Sequence, residues 1–172
     1  MKKFELTAEF VTNVFGMKLF RIKALVAFGN VEKGELGGFI EKEDNLSHDG
    51  DAWVYGNALV SGDARVSGDA RVYGNARVFG DARVSGDARV SGDADYAVVE
   101  GFGRYFRATT FFRCKDKILR VQCGCFYGDL AQFREIVKKT HGDSKYAKEY
   151  LAIADLMELH FSDEEENPEA AE

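Results

Sequence analysis

The chain has 172 residues, 45% of them hydrophobic and 30% charged, enough for about one domain with a core but too few for two large ones. Its formal charge of −6 is concentrated in residues 162–172, which hold six acids, no base and the sole proline, so the remaining body balances 23 basic against 23 acidic residues. A neutral body excludes general duplex-DNA binding, which runs on a basic surplus, and no apolar run reaches the roughly 18 residues of a membrane-spanning helix.

The opening residues, Met1 to Glu5, lack the apolar run and small-residue cleavage site of a secretory signal. The cysteines are odd in number and clustered: Cys114, Cys123 and Cys125. Together these lead to the expectation of a reducing cytoplasm, free thiols and no membrane partner. Residues 4 to 25 read as a β-hairpin, with Phe4 to Val11, a turn near Asn13 and Gly16, and Met17 to Leu25. This hairpin would close the narrow end of a repeat region that begins near residue 38, giving an N-terminal β cap over residues 1–37.

From Gly50 the sequence runs GDAWVY, GNALVS, GDARVS, GDARVY, GNARVF, GDARVS, GDARVS and a degenerate GDADYA. Val recurs every six residues from 54 to 90 and Ala every six from 52 to 94. A period of six is neither a helical stripe nor a long flat strand. It fits a coil in which each hexad is a short strand plus a bend, with Ala and Val inward and Gly-Asp or Gly-Asn at the bend. Three hexads then make one triangular turn, and the recurrence of Tyr-Gly-Asn at 55–57 and 73–75 supports a turn of 18 residues. The coil is expected over 38–97. Ile40 and Leu46 would continue the six-spacing into Ala52, and Gly29-Asn30-Val31 reads as a worn earlier rung. Such a stack buries its core only between neighbouring layers, so the flanking segments must cover its ends.

Residues 98–161 read as an α+β unit forming a C-terminal cap with two helices. Strands are predicted at 107–114 and 118–125 around a turn at 115–117. A first helix is predicted from an Asp129 N-cap with Gln132 three residues on, ending at Gly142. A second runs from Ser144 to about Phe161 with Tyr146, Tyr150, Ile153 and Met157 on one face. Residues 162–172 carry the composition of a disordered, solubilising tail.

The hexads resemble the hexapeptide-repeat family, and the resemblance implies a mainly β fold built on a short left-handed parallel β-helix. Prisms of that family commonly trimerise. The whole layout resembles phage- and prophage-carried proteins of Gram-positive bacteria. That second resemblance rests on Leu19-Phe20-Arg21-Ile22-Lys23-Ala24-Leu25, Leu36-Gly37-Gly38-Phe39-Ile40-Glu41, Cys123-Gly124-Cys125-Phe126-Tyr127-Gly128 and Thr140-His141-Gly142-Asp143. It implies a genomic context rather than an activity.

The hexapeptide family's acyltransferases need a His general base on or beside the coil, and its zinc carbonic anhydrases need three His. Residues 50 to 97 contain none. The nearest, His48, falls in a rung position that later hexads give to Val. Gly101-x-Gly103 lacks phosphate-loop spacing and reads as a turn. Cys114, Cys123, Cys125 and His141 are a formal Cys₃His zinc set, but C-x-C is tighter than the usual C-x₂-C. Cys123 and Cys125 also alternate in step with Leu119 and Val121, as packing residues would. No enzyme activity and no cofactor are therefore expected, with a hexapeptide acyltransferase-like enzyme as the remaining alternative.

The outward slots carry the functional expectation. Arg65, Arg71, Arg77, Arg83 and Arg89 precede the inward Val, while Tyr55, Tyr73 and Phe79 follow it, and Trp53 heads the series. One reading is a solvated ladder of Arg paired with Asp of neighbouring rungs. The other is a binding surface, since exposed aromatics beside Arg are enriched at interfaces. It would serve a homodimer or homotrimer, a host protein such as a defence component, or a nucleotide or phosphate ligand held at subunit boundaries.

Overall fold

The computed structural model describes residues 1–162. The acidic segment expected at 162–172 therefore lies, beyond Ser162, outside the described residues. No helix among those described is long and apolar enough to cross a membrane.

Residues 52 to 90 form a parallel β-solenoid of two-residue strands: β4 (Trp53–Val54), β5 (Leu59–Val60), β6 (Arg65–Val66), β7 (Arg71–Val72), β8 (Arg77–Val78), β9 (Arg83–Val84) and β10 (Arg89–Val90). Register confirms the 18-residue turn, with Val54 beside Val72, Val72 beside Val90, Val60 beside Val78 and Val66 beside Val84. Every Ala and Val of the repeat from Ala52 to Val90 is fully buried. Their small size suits a narrow prism in which each side chain meets only its counterpart one layer away. The bends demand glycine for two reasons. Gly68 has φ +66°, and a Cβ there would lie 2.8 Å from the amide nitrogen of Gly86 in the next layer.

The N-terminal residues form β1 (Phe4–Thr12) and β2 (Lys18–Ala24), antiparallel as expected. A third strand, β3 (Leu36–Ile40), pairs parallel with β5, which gives Ile40 the rung position expected of it, and also antiparallel with β2, a pairing not anticipated from the sequence. The hairpin is thus continuous with one solenoid face, in the order β1-β2-β3-β5-β8.

The first turn corrects two sequence expectations. Ile40 pairs with Val60, and Leu46 bridges Val66, both 20 residues apart rather than 18. The two extra residues are His48 and Asp49, so Leu46 occupies the Val slot and the spacing does not run into Ala52. His48 therefore holds no rung position; its ring stacks on Phe4 at 4.3 Å, and its Nδ1 accepts the Lys3 backbone N–H at 3.1 Å. Gly29-Asn30 is no rung either. Phe28 and Val31 exchange backbone hydrogen bonds around it, making a two-residue hairpin turn with Gly29 at φ +49°.

Asn45 and Lys3 tie these pieces together. Buried Asn45 donates to the carbonyls of Gly62 and Ala64 at 3.0 and 2.9 Å. The Lys3 ammonium, with the residue only 3% exposed, donates to Gly50 and Ala52 carbonyls at 3.1 and 2.9 Å, and burial lowers its pKa to about 8. Both satisfy backbone carbonyls that the irregular first turn leaves without strand partners.

Past the last rung, an antiparallel sheet of β11 (Tyr96–Val99), β12 (Thr109–Arg113), β13 (Leu119–Cys123) and β14 (Phe126–Asp129) leads into α1 (Leu130–His141) and α2 (Lys145–His160). The strands β11 and β14 were not anticipated. Asp129 accepts from the Gln132 N–H at 2.8 Å, and Gln132 returns a bond to the Asp129 N–H at 3.0 Å, as the sequence indicates. Buried Phe111, Val121, Phe133, Val137, Tyr150, Ile153 and Met157 form a second core. This unit meets the final rungs through side chains and single bonds. Thr110 accepts the Arg83 N–H at 2.9 Å, the Lys115 N–H reaches the Asp87 carbonyl at 3.0 Å, and the Tyr96 hydroxyl donates to the Arg77 carbonyl. The open edge of the last layer is thereby covered in part.

Candidate functional site

The three solenoid faces distribute the outward residues unequally. Trp53, Arg71 and Arg89 stack on one face, Leu59 and Arg77 on the second, and Arg65 and Arg83 on the third. Among the described residues, none of Arg65, Arg71, Arg77, Arg83 and Arg89 pairs with a carboxylate. Arg89 instead donates to the carbonyls of Asp69, Asp87 and Ala88. Asp63 pairs with Lys42 at 2.7 Å, which holds its carboxyl below the usual range. Asp93 accepts the Arg77 backbone N–H at 3.0 Å. The Arg–Asp ladder is thus not formed, for a geometric reason. Parallel layers in register set Arg71 over Arg89 and Arg65 over Arg83, leave Arg77 beside Leu59, and confine the Asp residues to the bends.

Trp53 corrects the expectation of an exposed aromatic, because it is fully buried. Its slot does face outward, but Phe4 and Phe28 close over it with ring centroids 6.3 and 5.4 Å away, and Gly37 leaves room where a Cβ would fall 2.8 Å from the indole. Tyr55 is half-buried against the same core, and burial pushes its phenol pKa up while the Arg71 charge opposes the shift. Tyr73 and Phe79 remain exposed as expected, Phe79 at 59%.

Two concave surfaces result. The first is an apolar groove of about 570 Å³ between the tip of the β1–β2 hairpin and the face carrying Arg77 and Phe79. Val14 and Phe15 stand at the tip, 93% and 84% exposed. The tip is a built turn rather than loose chain. The Asn13 side chain accepts from the N–H groups of Phe15 and Met17 at 3.0 and 2.9 Å, and the Gly16 N–H reaches the Asn13 carbonyl at 3.0 Å. Two large apolar side chains are therefore held out in water on a fixed backbone.

The second surface is a polar cleft of about 960 Å³ over the third face. Its floor is Arg65 and Arg83. One wall is the first-turn segment with Glu43, Asp44, His48 and Asp49, and the other is the connection between β11 and β12 with Glu100, Phe106 and Arg107. Because His48 Nδ1 accepts the Lys3 N–H, the neutral ring carries its proton on Nε2, which lies 3.9 Å from Glu43. That nitrogen is a donor and not a free base. Phe106 is 70% exposed with φ +55°, a conformation costing about 1–2 kcal/mol for a residue with a Cβ. Arg107 lies 4.9 Å from the Tyr105 ring. Sequence reasoning passed over Phe106 and Arg107; the available signal was the alternation of aromatic and Arg residues between Gly101 and Ala108.

The cysteines separate. Cys114 is buried with its sulfur 3.9 Å from the Tyr127 hydroxyl, and burial raises its thiol pKa. Cys123 accepts from Thr109 at 3.3 Å. Cys125 does not continue the strand alternation. Strand β13 ends at Cys123, Gly124 turns the chain at φ +58°, and Cys125 is exposed. His141 packs 5.8 Å from the Tyr150 ring. Among the described residues no group of three or more His, Cys, Asp or Glu is placed to hold a metal ion.

The repeat matches the family described as YdcK Beta solenoid repeat in four overlapping stretches, residues 52–68, 64–78, 70–85 and 82–94. The match agrees with the solenoid seen in the strand register, and it covers the coil alone. No curated protein matches the chain.

Proposed function

We propose that this chain is a non-enzymatic binding protein of phage or prophage origin. On this reading its solenoid is a left-handed β-helix of the hexapeptide-repeat type, capped by the N-terminal hairpin and the C-terminal α+β unit. It acts in the host cytoplasm as a homodimer or homotrimer that sterically blocks a host protein, as an anti-defence factor would.

The observation that carries this reading is the apolar hairpin tip beside the groove at Phe79. Contiguous exposed apolar surface on a rigid backbone favours burial against a protein, and large aromatic anchors dominate such interfaces. The pinned Asn13 turn adds to this, since a surface that is already ordered loses little conformational entropy on binding. The occupied Nδ1 of His48 and the absence of His from the repeat favour binding over acyl transfer.

Native mass spectrometry with light scattering tests the proposal. The unaltered chain is expected as a dimer or trimer at micromolar concentration, and Phe15→Asp with Phe79→Asp as a monomer with unchanged circular dichroism. A monomeric parent chain, or an oligomer indifferent to both substitutions, would overturn the assignment of this surface as the interface between copies.

A further inference from the structure

We infer that the polar cleft over Arg65 and Arg83 is a binding site, complete within one chain, for a nucleotide. The floor comes first. Arg65 and Arg83 sit in register on adjacent layers, about 4.8 Å apart at the backbone, and neither meets a carboxylate among the described residues. Two like charges so placed repel each other, and a phosphate between them replaces that repulsion with charge-assisted, bidentate hydrogen bonds.

A bare anion does not account for the walls. Glu43, Asp44 and Asp49 line the cleft on the first-turn side, with Asp81 and Glu100 elsewhere in its lining, and these carboxylates disfavour a ligand that is anionic along its whole length. They accept hydrogen bonds well from the hydroxyls of a ribose, the chemistry by which acidic residues hold that sugar in dinucleotide-binding folds. On the opposite wall the Phe106 ring stands exposed on a left-handed backbone, a strained conformation of the kind that clusters at ligand clamps. An exposed ring at a cleft rim stacks on a planar base. A phosphate for the floor, a diol for the acidic wall and a flat ring for Phe106 together describe a nucleotide. The cleft's volume of about 960 Å³ is ample for one.

The site shares no residue with the hairpin groove, so it stands or falls separately from the protein-binding reading. Isothermal titration with ADP, GDP, UDP and inorganic pyrophosphate decides it. At least one nucleotide is expected to bind at least about tenfold more tightly than pyrophosphate. Arg65→Gln with Arg83→Gln should weaken it by about tenfold or more, and Phe106→Gly by about fivefold or more. Arg71→Gln, on another face, should leave it unchanged. Phe106→Gly relieves the backbone strain, so folding is preserved and lost affinity reports the ring. Three outcomes overturn the inference: no nucleotide binding at millimolar concentration, pyrophosphate binding as tightly as the nucleotides, or affinity indifferent to the two arginines. Oligomeric state recorded in the same buffer separates any of these from failure of the hairpin interface.

Discussion

The solenoid and the C-terminal unit use arginine in opposite ways. In the C-terminal unit Arg134 reaches Asp155 and Glu158, each at 2.8 Å, and Arg120 pairs with Asp116. In the solenoid the five repeat arginines meet no carboxylate among the described residues. Antiparallel strands and packed helices bring unlike positions of the chain together, so opposite charges can be matched. A parallel stack in register brings each slot to its own copy, Arg65 to Arg83 and Arg71 to Arg89. Repetition perfects the Ala–Val interior and at the same time stacks like charge on like within a column. Arginines without a carboxylate partner are thus a by-product of the packing rule, available to a ligand without cost to the core.

The interiors differ in the same sense, and this gives the largest expected effect. The solenoid core depends on identical small residues in every layer, whereas the C-terminal core interlocks Phe111, Phe133 and Tyr150 individually. Val72→Asp, in the middle layer, places a carboxylate against Val54 and Val90 with no partner, and is expected to abolish folding. A circular dichroism spectrum matching the parent would break the inward assignment and the comparison with it.

Trp53 and Arg71 share a column but not an environment. Trp53→Ala should cost about 3–5 kcal/mol, as loss of a buried large aromatic does, while Arg71→Ala should change stability by about 0.5 kcal/mol or less. Urea unfolding midpoints measure both. Equal costs would show that the column is uniform and that the hairpin does not close over the indole.

The smallest effect is pH dependence, which sharpens the contrast between the ends of the molecule. Lys3, at the start of the solenoid, loses its proton near 8 in the folded chain against an ordinary 10.5. Between those values the unfolded chain binds more protons, so this group makes stability rise with pH. Tyr96 and Tyr150, in the C-terminal unit, are held up to about 12 by burial against an ordinary 10. Between 10 and 12 the folded chain keeps the protons and stability falls. Urea midpoints are expected to climb above pH 8 and drop beyond about pH 10. Lys3→Met should flatten the climb, and Tyr96→Phe should lessen the drop.

Much of this protein is written in local pattern. The hexads specify the inward Ala and Val, the glycine bends and the 18-residue turn, because each is a short-range consequence of period six. Asp129, Gln132, Ser144 and Gly142 specify the helix limits because capping is local. What local pattern does not contain is which outward residues stay outward. Trp53 occupies the same slot as Arg71 and is buried only because Phe4 and Phe28, both far from it in the chain, arrive over it. Phe106 and Arg107 look like turn residues until the path of the chain past the last rung returns them beside Arg65 and Arg83. Burial of an outward slot and assembly of a cleft both depend on contacts between segments distant in sequence, and those contacts are decided only when the whole chain packs.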